Sequence, residues 1–218
     1  MRKLVVGSFT TLDGVMQAPG GPDEDRDSDF QHGGWLVPYF DEKFLGIMTE
    51  WTKRAGAFLL GRKTYEIFAG SWPKSTDPAD EIAMALNTRQ KFVASRTLDK
   101  VNWNNSILLK GDVVEEVVKL KAQEGREIQV HGSSNLIQTL LKHDLVDTLR
   151  IWQFPVVLGT GKCLFGEGTI PCSFRLVDTQ QNTTGAVLHV YERSGGLKYG
   201  EVEVGQETVI FDSGTEHE

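Results

Sequence analysis

The sequence predicts an α/β fold: a three-layer arrangement in which a mostly parallel central sheet of about eight strands carries helices on both faces and an antiparallel C-terminal edge. Three observations predict it. Short apolar runs alternate with amphipathic helical patterns as far as Lys142, the alternation that parallel strands with crossover helices require. Beyond that point strand-like runs are separated by Gly/Thr/Asn turns, which favours antiparallel pairing. Two strand-to-helix junctions then stand out. Ala57-Phe58-Leu59-Leu60 runs into Gly61-Arg62-Lys63-Thr64-Tyr65, and Glu127-Ile128-Gln129-Val130 runs into His131-Gly132-Ser133-Ser134-Asn135.

The elements follow in order. Leu4 to Phe9 reads as the first strand; its apolar run is too short for an export signal, and polar Thr10 and Thr11 end it. After Leu12-Asp13-Gly14-Val15-Met16, residues 18–34 are rich in Gly, Pro and Asp and show neither period, so a long loop is expected to border the active cleft. Phe44, Ile47, Met48 and Trp51 recur at helical spacing over Asp41 to Arg54. A strand at Ala57 to Leu60, a short helix from Thr64 to about Ala69 and another from Asp80 to Leu86 come next. Lys91 to Ala94 and Ile107 to Leu109 are strands, ending in Ser95-Arg96-Thr97 and Lys110-Gly111-Asp112. Asp112 and Glu115 have capping-box spacing before a helix lined by Val113, Val114, Val117, Val118 and Leu120. Ile128 to Val130 is a strand, Ser134 to Lys142 a helix, and Thr148 to Val157, Ser173 to Thr179 and Ala186 to Glu192 are strands. One domain is expected over residues 1–193; residues 194–218 form an extension, with a possible hairpin at Leu197 to Val204 and Glu207 to Phe211 and a disordered tail from Asp212.

Composition narrows the function. With 218 residues and 39% hydrophobic content the chain supports one sizeable core. A formal charge of −7 leaves no broad basic surface for a nucleic-acid backbone. Cys163 and Cys172 have neither metal-ligand nor disulfide spacing, which fits a reducing cytoplasm and no metal site. No stretch approaches the roughly 20 apolar residues of a membrane span. Against that acidic background, the two junctions aim unpaired N–H groups and helix dipoles at anions, and Arg62 and Lys63 add positive charge. Two such junctions point to a ligand with separated phosphates, a dinucleotide first of all. Each also has a plainer reading as a capped helix start, and His131 reads as a hydrogen-bonded core histidine. Gly159-Thr160-Gly161 mimics a dinucleotide fingerprint but opens no helix, so it reads as a turn.

Ser8-Phe9-Thr10-Thr11-Leu12-Asp13-Gly14, Leu60-Gly61-Arg62-Lys63-Thr64-Tyr65-Glu66 and the block from Val130-His131-Gly132-Ser133 through Leu145-Val146-Asp147 to Pro155-Val156-Val157-Leu158-Gly159-Thr160-Gly161 resemble the dihydrofolate-reductase-like family. The branch they resemble includes the reductase domain of the bifunctional riboflavin-biosynthesis deaminase/reductase, and the likeness runs from about Arg2 to Glu192. It implies NADPH as cofactor: Gly61, Arg62, Lys63 and Thr64 on one side of the phosphates, Gly132, Ser133, Ser134, Asn135 and Leu136 on the other. Ser95 and Arg96 match the place of the adenosine 2′-phosphate, and Lys110 and Gly111 would flank the adenine. The substrate implied is a small pterin-like or pyrimidine-like heterocycle. Folate-reducing relatives bind the pterin with an acid on the first helix, where this chain has Phe44, Leu45, Ile47 and Met48 after Asp41 and Glu42. Asp13 is the alternative acid and also a turn-forming Asp-Gly pair. Phe9, Trp35, Phe40 and Trp152 are expected walls for a flat ring or, each by itself, core. Three functions stay open: a heterocycle reductase acting on dihydrofolate or a similar substrate, the 5-amino-6-ribosylaminouracil phosphate reductase of riboflavin synthesis, and a nucleotide-binding protein without turnover. A homodimer would cover the edges of the strands after Arg193.

Overall fold

The computed structural model describes residues 1–200. Eight strands form one sheet: β1 (Leu4–Thr10), β2 (Ala55–Gly61), β3 (Gln90–Ala94), β4 (Ser106–Leu109), β5 (Glu127–His131), β6 (Thr148–Gln153), β7 (Ser173–Gln181) and β8 (Val187–Gly195). Their order is β4-β3-β2-β5-β1-β6-β8-β7, parallel from β4 to β6, with β8 antiparallel to β6 and β7 antiparallel to β8. The helices are α1 (Glu42–Arg54), α2 (Arg62–Ser71), α3 (Glu81–Thr88), α4 (Val113–Ala122) and α5 (Ser134–Lys142).

Direction of winding decides which face each helix covers. From β1 to β4 the chain steps toward one edge of the sheet, and from β4 to β6 it steps back. Right-handed crossovers therefore put α1, α2 and α3 on one face and α4 and α5 on the other. The cores agree. Phe44 and Trp51 of α1 meet Trp152 and Leu188, and Tyr65 of α2 and Leu86 of α3 meet Phe58, Leu60 and Val93. On the opposite face Val117 and Leu120 of α4 and Leu136, Ile137, Leu140 and Leu141 of α5 meet Leu4, Val6, Leu59, Ile128 and Val130. The four buried aliphatic side chains of α5 contribute on the order of 10 kcal/mol before the entropy of ordering them is subtracted.

Helix starts obey simple chemistry. Asp41 accepts from the Phe44 N–H at 2.7 Å, Asp80 from Ala83 at 2.9 Å and Asp112 from Val114 at 2.9 Å, so α1, α3 and α4 each have an aspartate cap. Buried Lys91 secures the end of α3: its Nζ donates to the Leu86 and Arg89 carbonyls at 2.7 and 2.8 Å and lies 4.3 Å from the Trp103 ring centroid.

Several boundaries differ from expectation. β2 begins at Ala55, because α1 passes into it without a loop, and α2 begins at Arg62, directly behind Gly61. β6 stops at Gln153; β7 runs to Gln181, up to the turn before β8, and β8 runs to Gly195, where it pairs with Ser173 at the start of β7. The boundary at residue 193 therefore falls inside β8. Of the expected hairpin, residues 197–200 carry no strand and the remainder lies outside the described residues.

Candidate active site

The winding reverses between β2, whose chain leaves toward β3, and neighbouring β5, whose chain leaves toward β6. Such a switch point opens a crevice at the carboxyl ends of the strands. Here the crevice is framed by the first turns of α2 and α5. Neither has a side-chain cap, unlike the three aspartate-capped helices, so their N–H groups remain for a ligand. One side chain joins the two junctions. Ser133 Oγ accepts from the Gly61 N–H at 2.9 Å and donates to Thr64 Oγ1 at 2.8 Å. Gly132 and Ser133 adopt left-handed φ of 57° and 69°, the bend that turns β5 into α5. A Cβ on Gly61 would lie 2.9 Å from Ser133 Oγ, so the contact requires glycine. The side chain of Leu136 belongs to the core, leaving its backbone at the site.

The expected adenosine side lies along the same edge. Gly61 is in register with Ala94, and Ala94 with Leu109, so Gly61-Arg62, Ser95-Arg96 and Lys110-Gly111 follow their strands side by side. Arg96 and Lys110 are exposed. The Ser95 hydroxyl is engaged in its own turn, accepting from Thr97 and Leu98 N–H at 3.1 and 3.0 Å.

The loop over residues 18–34 is folded onto the crevice mouth. Lys63 Nζ lies 2.7 Å from Asp27 and 3.7 Å from Asp25, and Lys162 Nζ lies 2.6 Å from each. Hydrogen bonds from Lys162 and then Lys63 lower the Asp27 pKa to about 2. Buried Gln17 ties the segment together, donating to the Asp25 and Asp27 carbonyls and accepting from the Lys162 N–H. Ser28 and Asp29 adopt left-handed φ of 57° and 56°. Asp25, Asp27 and Lys162 were not among the residues the sequence nominated. Their only signal was a cluster of aspartates in the loop and one lysine inside the glycine-rich turn, and nothing in the spacing pairs them. That turn is as expected no fingerprint: Gly161, at φ 121°, lets the backbone lie against Val15 and Phe30.

The nominated substrate residues divide. Trp35 is buried and donates Nε1 to the Gln17 carbonyl at 2.8 Å, and Trp152 is fully buried against Phe44 and Phe154. Both pack as core, the second of the two places expected for each ring, with Trp152 of β6 beneath Phe44 of α1. Phe9 is half-buried, 5.8 Å from Phe44, while exposed Phe40 stacks on Phe44 at 5.0 Å. Asp13 is exposed, but its carboxylate accepts from Thr11 Oγ1 at 2.5 Å, Gly159 N–H at 2.7 Å and Leu158 N–H at 3.2 Å. Those bonds, that from Thr11 foremost, hold its pKa below the usual carboxylate range. Asp13 therefore staples the first loop to the 158–159 turn and holds no proton to donate at neutral pH.

A parallel sheet wound in this order, with an antiparallel edge and two helix starts without side-chain caps at the switch point, defines a dihydrofolate-reductase-like α/β protein. Residues 2–188 match the RibD C-terminal domain family, and the chain belongs to that family of oxidoreductase domains. It is 30% identical over 196 residues to the uncharacterized protein YyaP of Bacillus subtilis (strain 168), covering 89% of this chain and 96% of that one. Among solved structures it is similar to a putative riboflavin biosynthesis protein from Shewanella sp. PV-4, with a TM-score of 0.62, 24% identity, and coverage of 88% of this chain and 99% of that one. Dihydrofolate reductase from Enterococcus faecalis, complexed with NADP(H), shares the fold with a TM-score of 0.56 and 16% identity over 88% of this chain and 96% of that one. No helix among the described residues is long and apolar enough to cross a membrane.

Proposed function

We propose that the protein is an NADPH-dependent reductase of a small heterocycle, with a pyrimidine of the 5-amino-6-ribosylaminouracil phosphate type favoured over folate. One observation carries the reading: the two helices without side-chain caps meet at the switch point through Ser133. The residues there fit a dinucleotide, because Gly61 lets the two helix starts meet through Ser133, both starts lack side-chain caps, and Arg62, Arg96 and Lys110 follow strands of the same edge. When bound, NADPH supplies the hydride. The protein's part is to grip the phosphates with α2 and α5, to set the plane of the reacting ring, and to close the mouth with the Asp25–Asp27 segment. A pyrimidine is favoured because α1 offers no inward acid for a pterin: Phe44 and Met48 are buried where one would stand.

The test is a fluorescence titration with NADPH and NADH, followed by NADPH oxidation with dihydrofolate and with the ribosylaminopyrimidine phosphate. Tight NADPH binding and turnover of the pyrimidine alone is the expected result. Turnover of dihydrofolate alone would reverse the substrate choice, binding without turnover on either would favour a nucleotide-binding protein, and failure to bind NADPH would refute the proposal.

A further inference from the structure

The cofactor proposed above leaves a largely buried polar array unexplained. Alternate residues of β5, Glu127, Gln129 and His131, share the sheet face covered by α1 and α2. Glu127 receives the Arg150 guanidinium through two bonds of 2.7 and 3.0 Å, and that guanidinium lies 5.3 Å from the Trp51 ring centroid. Gln129 Nε2 donates at 2.6 Å to Glu127 Oε1 and at 2.6 Å to the Trp51 carbonyl. Both partners only accept, so the amide has one permissible orientation and its Oε1 faces His131 Nε2 at 3.1 Å. The proton of that bond must then sit on His131 Nε2.

A neutral imidazole protonated on Nε2 keeps a lone pair on Nδ1, which has no protein partner among the described residues. The charged groups facing this ring are Arg150 from β6 and Glu127 from β5, while β2 and α2 contribute only the Phe58 and Phe68 rings, 5.5 and 6.4 Å away. Burial, helped by Arg150, brings the His131 pKa down to about 4, so the ring stays neutral at physiological pH. His131 also occupies a telling position. It is the last β5 residue paired with β1, opposite Gly7, and it directly precedes the Gly132-Ser133 junction. No side chain crowds Gly7: a Cβ placed there would meet nothing closer than the Val130 carbonyl oxygen at 3.9 Å.

We propose that His131 is a specificity-determining residue whose Nδ1 accepts a hydrogen bond from a ring or exocyclic N–H of the bound substrate, held to that task by the Arg150–Glu127–Gln129 array. This rests on the reductase reading and deepens it. The site selects heterocycles that present an N–H donor, as an amino-pyrimidine does, over rings offering only acceptors or a negative charge, because a neutral imidazole in this tautomer has no proton to give them.

The test uses the full chain with 15N-labelled histidine, the His131 resonances being assigned by their absence in His131→Gln. The expected spectrum is neutral, protonated on Nε2 and unchanged down to about pH 6, and adding NADP+ with the ribosylaminopyrimidine phosphate shifts the Nδ1 resonance. In kinetics, His131→Phe raises KM for that substrate about tenfold, the loss of one hydrogen bond, with NADPH affinity altered less than twofold and partial rescue in His131→Gln. An Nδ1–H tautomer, an ordinary imidazole titration, or an unchanged KM in His131→Phe while NADPH still binds would overturn this proposal alone. Absence of NADPH binding in the wild type would overturn it together with the reductase reading.

Discussion

Removing the hydroxyl that joins the two helix starts tests the geometry of the site most directly. Ser133→Ala deletes the acceptor of the Gly61 N–H at 2.9 Å and the donor to Thr64 Oγ1 at 2.8 Å. At about 1 kcal/mol net for each hydrogen bond the loss is about 2 kcal/mol. In a chain of 218 residues this lowers the melting temperature by roughly 4–8 °C. Ser133→Gly deletes the same hydroxyl but relieves a backbone held at φ 69°, which recovers about 1 kcal/mol and halves the shift. The order of stability should be wild type, then glycine, then alanine, read by calorimetry without ligand. Fluorescence titration should show weaker NADPH binding in both variants, because the N–H groups of α2 and α5 no longer converge. Alanine melting with the wild type, or above glycine, would refute both the bridge and the strain.

Three further outcomes follow from the charged groups. Arg96→Ala should weaken NADPH much more than NADH in the same titration; equal weakening would remove Arg96 from the 2′-phosphate site. Asp27→Asn should tighten NADPH about two- to fivefold at low salt by freeing Lys63 for phosphate, and the gain should shrink at high salt; an unchanged affinity would show that the carboxylate does not compete there. Stability should decline as pH falls from His131's ordinary value near 6.5 toward about 4, since the unfolded chain takes up that proton first. By pH 5 urea unfolding should register a loss of about 2 kcal/mol that His131→Gln lacks. Asp27, held at about 2, contributes a separate loss between its ordinary value of 3.8 and 2.

Much of this architecture was legible because it rests on local chemistry. The period of Phe44, Met48 and Trp51 marks α1, Asp41, Asp80 and Asp112 mark helix starts, and bare glycines behind apolar runs mark both junctions. What escaped depends on contacts distant in sequence. Lys162 meets Asp25 across 137 positions, and Arg150 meets Glu127 across an intervening strand, pairings that no period encodes. For Trp35 and Trp152 the sequence leaves wall and core both open, for a related reason. A large ring looks alike in sequence whether it lines a cavity or packs a core, and only the lateral order of strands puts Trp152 beneath Phe44.

The missing acid on α1 has a physical counterpart on β5. Phe9, Phe40, Phe44 and Phe154 crowd the place where a helix-borne carboxylate would stand, and a carboxylate among those rings would be costly to ionise. Beside it the sheet carries a nearly buried charge pair, the bidentate Glu127–Arg150, where guanidinium and carboxylate satisfy each other. Gln129 transmits the orientation of that pair to His131. A neutral, oriented acceptor at the lip of the crevice asks for a different substrate than a carboxylate does: it rewards an N–H donor but gains nothing from a ring that must be protonated. Replacing Phe44 by an acid should therefore not create folate reduction, because the aromatic cluster would lose its central ring before a pterin gained a partner; NADPH oxidation with dihydrofolate in Phe44→Asp would contradict this division of roles.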